Sequence, residues 1–189
     1  MSSTPGWYGK LPALGDFASR RLPPLFVEPW DHWLAAGLAS WREADEAWLD
    51  TFLAAPTWRF ALGAGVPFAQ SPGYVGVLMP SVDRVGRYFP LTVVRVRGTF
   101  ESETPQAWLT ALEGLAVAAL HEDWNAERFD AELGNLDTVE DDDGSAGPIW
   151  PDEGRTLWWC ERDGQRSEPV GTAGLPDSSA LERLFGGRL

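Results

Sequence analysis

The chain has 189 residues, 44% of them apolar, and its 15 Lys and Arg against 28 Asp and Glu give a formal net charge of −13. That is enough apolar chain to close a sizeable core, which excludes disorder throughout, and a single cysteine, Cys160, excludes an internal disulfide framework. The acidity lies in one half, since residues 1–98 carry 9 basic and 8 acidic side chains while residues 99–189 carry 6 and 20. With one Lys and no basic run longer than Arg20-Arg21, a nucleic-acid partner is not expected. The acidic half either keeps the protein in solution or faces a basic partner. There is no run of 18 apolar residues and no leader-like start, so neither membrane insertion nor a signal peptide is expected, and a cytoplasmic location is.

Gly6 to Pro12 reads as a short strand or extended arm, Gly15-Asp16-Phe17 as a turn, and Pro23-Pro24 as a breaker. A helix is expected from Leu25–Pro29, with Pro29 in its first turn, to Trp41, and a second over Glu43–Ala54. Trp30, Trp33, Leu34, Leu38 and Trp41, then Trp48, Leu49 and Phe52, recur near helical spacing, which makes most of the eleven Trp core residues rather than a stacking platform. Trp7, Trp58, Trp150, Trp158 and Trp159 stand in strand or loop contexts, where one or two are expected in solvent.

From Thr57 the period shortens, and Trp58–Leu62, Gly73–Met79 and Leu91–Arg97 read as three consecutive strands. Pro80 to Pro90 is a polar connection bounded by prolines. Thr104-Pro105 is a helix start, with Leu109, Leu112, Leu115, Ala116, Ala119 and Leu120 on the apolar side, and a shorter helix follows over Asn125–Leu136. Residues 138–154 lose all periodicity and read as an acidic solvated loop. Thr156–Cys160 is a buried strand and Ser178–Phe185 a closing helix capped by Ser178. The expectation is a single-domain α/β fold, a three-layer α/β/α sandwich around a mixed, largely antiparallel sheet of about five strands.

Known chemistries find little footing. His32 and His121 lie on different segments and there is one Cys, so no zinc set forms. Placing Gly144 at the sixth position of a calcium loop puts Val139 first and Trp150 last, where carboxylates are required. Gly9-Lys10 is followed by Leu11, which is not a P-loop, and no G-x-S-x-G occurs. No metal, no cofactor and no catalytic residue is expected. Two polar clusters stand apart from the core pattern, Lys10 with Asp16, Arg20 and Arg21, and Asp83-Arg84 with Arg87 and Tyr88. They are either ion pairs that pin a loop or an interaction surface.

A resemblance runs through nearly the whole chain. Gly6-Trp7-Tyr8-Gly9-Lys10-Leu11-Pro12 with Gly15-Asp16-Phe17, Pro29-Trp30-Asp31-x-Trp33-Leu34, Ala55-Pro56-x-Trp58-Arg59-Phe60 and, above all, the run from Gly76 through Pro80-Ser81-Val82-Asp83-Arg84-Val85-Gly86-Arg87-Tyr88-Phe89-Pro90 to Thr92 are similar to the TagF (ImpM) family of type VI secretion accessory proteins. Leu157-Trp158-Trp159 and Gly174-Leu175-Pro176 continue it. The chain departs from that pattern at Ala13-Leu14, where Ser-Arg is usual, and in the acidic loop.

The resemblance implies a three-layer α/β/α fold and a cytoplasmic, non-enzymatic protein. Such a protein represses the secretion apparatus after translation by sequestering its forkhead-associated scaffold. The partner-binding residues expected on this reading are Lys10, Asp16, Phe17, Arg20, Arg21, Asp83, Arg84, Arg87 and Tyr88. The alternative is a hydrolase or small-ligand domain with a pocket near Asp16 and Asp83, which convergence of the two carboxylates would favour.

Overall fold

The computed structural model describes residues 4–100, 105–136 and 150–186. Thr104 and most of the expected acidic loop lie outside the described residues. In chain order the elements are β1 (Gly6–Gly9), β2 (Ala18–Arg20), α1 (Pro24–Ala44), α2 (Trp48–Leu53), β3 (Trp58–Leu62), β4 (Tyr74–Met79) and β5 (Leu91–Val96), then α3 (Gln106–His121), α4 (Ala126–Asn135), β6 (Arg155–Arg162), β7 (Gln165–Arg166), β8 (Val170–Ala173) and α5 (Ser178–Phe185).

The strands form one sheet in the order β2-β1-β5-β4-β3-β6-β7, with β8 also paired to β6. Every pairing is antiparallel. Among the described residues the expected mixed sheet of about five strands is therefore corrected to one of eight antiparallel strands. β3, β4 and β5 form a meander, and β1 and β6 add to its two sides, so Gly6, Val94, Gly76, Phe60 and Trp158 lie in one row across five strands. The strands that periodicity does not reveal, β2, β7 and β8, have two to four residues, too few for alternation to register.

Strand alternation splits the apolar residues into two cores. Trp58, Phe60, Leu62, Leu78, Val94 and Trp158 pack with Phe26, Trp30, Leu34, Leu38 and Trp41 of α1, Phe52 of α2 and Leu181, Leu184 and Phe185 of α5. Ala61, Val75, Val77, Val93 and Trp159 pack with Trp108, Leu109, Leu112, Ala116 and Ala119 of α3 and Phe129 and Leu133 of α4. The Trp residues also tie elements together, because a buried indole N–H needs an acceptor. Trp30 Nε1 donates to Thr92 Oγ1 at 2.8 Å, Trp33 Nε1 to the Pro176 carbonyl at 2.6 Å and Trp58 Nε1 to the Leu184 carbonyl at 2.6 Å.

Three expectations change in detail. Trp7, Trp58, Trp158 and Trp159 are all buried, whereas Trp48 is only partly so. α1 starts at Pro24, one residue before the expected range, so Pro29 stands inside the helix and past its first turn. The carbonyl its missing N–H would have bonded belongs to Leu25, which is exposed to solvent. The cap of α5 is Asp177, whose carboxylate accepts from the Ala180 N–H at 2.8 Å, rather than Ser178. Among the described residues no helix is long and apolar enough to cross a membrane.

Candidate functional site

β1 ends on Gly9, whose φ of +133° favours glycine and where a Cβ would strike the Pro90 carbonyl oxygen. This turn sends Lys10 inward beneath the Pro80–Pro90 connection. Ser81 Oγ donates to the Lys10 carbonyl at 2.7 Å, and Lys10 Nζ donates to Asp83 Oδ2 at 2.5 Å. The same Oδ2 accepts from Arg87 Nε at 2.7 Å, while Oδ1 accepts from the backbone N–H groups of Val85 at 3.0 Å and Arg87 at 2.9 Å. Gly86, at φ +81°, closes the turn with its N–H on the Asp83 carbonyl, and Val82 bridges Tyr88 below it. One carboxylate thus organises a hairpin from its centre.

Burial by itself would raise the Asp83 carboxyl. The hydrogen bonds from Lys10, from the Arg87 backbone and side chain and from the Val85 backbone outweigh it and hold the group well below the usual carboxylate range. Replacing Gly9 by Ala is expected to destabilise the fold by about 2–4 kcal/mol through backbone strain and the clash with Pro90. Thermal melts would register this, and a melt within about 1 °C of the parent would show that the turn tolerates a side chain.

The outer surface of the hairpin is fastened to residues 14–17. The Arg84 N–H donates to the Leu14 carbonyl at 2.9 Å and Arg87 Nη2 donates to the Gly15 carbonyl, while Asp16 stands 3.9 Å from Arg87. Phe17 lies 4.4 Å under the Lys10 ammonium, stacks on Tyr8 at 5.9 Å and meets Phe89 edge-on at 4.8 Å, yet remains 43% exposed. Tyr8 in turn donates to Asp31 of α1 at 2.5 Å, and burial together with the Asp31 hydrogen bond and charge pushes its phenol above the ordinary value. Between Phe17, Tyr88 and Phe89 on one side and Ala35, Ala39 and Trp48 on the other runs a groove of about 360 Å³, with Arg42 over the Trp48 ring at 5.2 Å.

This geometry divides the expected partner-binding set. Lys10 and Asp83 are buried in their ion pair and cannot touch a partner, which corrects their assignment to the surface. Arg20 and Arg21 belong elsewhere. Arg20 is paired with Trp7 toward the far end of β1, and Arg21 donates through both Nη atoms to Asp130 of α4 at 2.8 Å and through Nε to the Pro5 carbonyl at 2.8 Å. The Arg21 hydrogen bond is the main reason that the Asp130 carboxyl sits below its ordinary value, against the opposing effect of burial.

What converges at the surface is Asp16, Phe17, Arg84, Arg87 and Tyr88, joined by Val85, which is 64% exposed. Sequence reading did not single out Val85, Arg42 or the Ala35 and Ala39 face. Their signal, apolar or basic residues on the solvent side of a turn or helix, is visible only once the buried side is known. Asp16 and Asp83 do not form an acid pair, because the Asp16 side chain is 81% exposed and that of Asp83 is fully enclosed with both oxygens occupied. Among the described residues no three His, Cys, Asp or Glu side chains gather as a metal set.

Comparison with known proteins is consistent with this architecture. The TagF N-terminal domain family, described as type VI secretion system-associated, matches residues 6–136, more than half of the chain. Among solved structures, PA0076 from Pseudomonas aeruginosa PAO1 is 33% identical, with a TM-score of 0.75 over 97% of this chain and 94% of that one. No curated protein matches. The match spans both the Lys10 and the Asp83 segments that build the hairpin, and the chain belongs to the TagF family of type VI secretion-associated proteins.

Proposed function

We propose that this protein is a post-translational negative regulator of type VI secretion that acts in the cytoplasm by binding and sequestering the forkhead-associated scaffold of the apparatus. On this reading it is a single-domain α/β/α sandwich that works by association rather than catalysis. The observation that carries the proposal, beside membership of the family, is the Asp83-centred hairpin. It presents Arg84, Val85 and Arg87 next to the half-exposed Phe17 on a support fastened from beneath. Arginine and aromatic anchors on a rigid support make an efficient protein-binding surface, because little conformational freedom is lost on association.

The test is a calorimetric titration of the purified protein against the scaffold from the same secretion cluster. Arg84→Glu combined with Val85→Asp is the informative variant, since neither side chain holds the hairpin together, whereas Arg87 grips Asp83 and its reversal would disturb the fold. The expected result is binding by the parent and at least about tenfold weaker binding by the variant, with an unchanged melt. Equal affinity would remove this surface from the interface. Absence of binding by the folded parent would remove the scaffold as partner.

A further inference from the structure

A second concave region lies at the other end of β1, and it is separate from the hairpin. There Leu22 and Pro23 just ahead of α1, the segment at residues 66–72 and the ends of β4 and β5 line a half-open cavity of about 380 Å³. This is within the size range of small-molecule sites. Its wall is apolar, with Leu22, Pro23, Phe68, Val94 and Val96 surrounding Tyr74.

Tyr74 is the unusual member. It is only 4% exposed, its ring meets Phe26 edge-on at 4.7 Å, and its hydroxyl has no hydrogen-bond partner in the protein among the described residues. The Tyr74 hydroxyl opens onto the cavity rather than being sealed in the core, whereas that of Tyr8 is engaged by Asp31. Burial pushes the Tyr74 phenol above its ordinary value, so the group remains a donor throughout the neutral range. The cations at the rim are already engaged. Arg21 is held by Asp130 and the Pro5 carbonyl, and Arg95 donates to the hydroxyl and carbonyl of Thr99. Among the described residues an anionic head group would find no uncommitted charge here, whereas a neutral acceptor would pair with the Tyr74 hydroxyl.

We propose that this cavity binds a small neutral molecule with an apolar body and one carbonyl oxygen, which accepts a hydrogen bond from Tyr74. The proposal does not rest on the partner reading, because Gly6 lines the cavity while Lys10 and the hairpin lie past the opposite end of the strand.

Ligand-observed saturation-transfer NMR on the full chain, with heptan-2-one as probe and heptanoate as its charged counterpart, tests it. Saturable binding of the ketone is expected, with heptanoate weaker. Tyr74→Phe, which keeps the ring and removes only the hydroxyl, should weaken the ketone about fivefold, the worth of one neutral hydrogen bond. Val96→Phe, which fills the cavity from β5, should abolish binding while the melt shows a folded chain. Failure of the ketone to saturate the parent would overturn the site and leave a hydrated cavity only. Heptanoate binding as well as the ketone, or Tyr74→Phe binding it unchanged, would overturn the assigned chemistry.

Discussion

Lys10→Met is expected to lower the melting temperature by about 10 °C near neutral pH, because it strands a buried carboxylate. Lys10 and Asp83 are both enclosed, and Lys10 approaches Asp83 from β1 while Arg87 and two backbone N–H groups approach from within the hairpin. Removing the ammonium leaves those three donors to hold a charge that has lost most of its solvation.

The effect has a defined pH dependence. The folded carboxyl of Asp83 sits below the ordinary value of 3.8, so the stability it contributes is fully present above that value and is lost as pH falls through the folded value. The gap between parent and variant should therefore be complete near neutral pH and shrink as pH falls below the ordinary carboxylate value of 3.8 toward the lower folded value of the parent. Melts followed by circular dichroism across that range provide the check. A gap that stays constant into acid would mean that lost packing of the Lys10 stem, and not the ion pair, is responsible. Faster amide exchange at Val85 and Arg87 should accompany the loss, since both N–H groups are held by the same carboxylate.

Arg59→Met should destabilise the protein by about 3–5 kcal/mol through a different arrangement of charge. Arg59 stands on the interior strand β3, between β4 and β6, and is 2% exposed. Its Nε donates to Glu113 of α3 at 2.8 Å, Nη1 to Glu161 of β6 at 2.7 Å and Nη2 to Thr110 at 3.3 Å, so one guanidinium joins two strands and a helix. Burial raises the Glu113 carboxyl and the neighbouring Glu161 raises it further, while Arg59 pulls it down, and the net position is above the ordinary value of 4.5.

A raised carboxyl detracts from stability as pH rises through the folded value, and without Arg59 that penalty grows. The variant should consequently recover relative to the parent as pH is lowered from neutral toward about 4.5, a higher window than that of Asp83 because the Glu113 carboxyl is raised and not lowered. Adding Glu113→Gln to Arg59→Met should restore part of the loss at neutral pH. If the double variant were no more stable than the single one, repulsion between Glu113 and Glu161 would not be the origin of the effect.

The helices α1, α3, α4 and α5 and the strands β3 to β6 are legible in the chain because their signals are local. Apolar spacing changes from near four to two at Thr57, a helix falls within the expected 125–136 stretch, and prolines bracket the 80–90 connection. The connection itself, with the residues around Lys10, marks the family. What local patterns could not show is which charges meet. Lys10 and Asp83 are 73 residues apart, Arg21 and Asp130 are 109 apart, and Arg59 and Glu161 are 102 apart.

Asp16 and Asp83 both sit beside glycine-containing turns and near arginines, yet one is open to solvent and the other is the enclosed centre of a hairpin. Arg20-Arg21 reads as part of the same patch as Lys10, but antiparallel pairing of β2 with β1 carries those two residues to the opposite end of the strand. Composition, periodicity and motif thus determined the class of fold, the family and the segments that matter, because each depends on neighbours within a turn or two. Burial, charge pairing and the surface left for a partner were decided only by strand order and register, because those bring together groups whose separation along the chain carries no local signal.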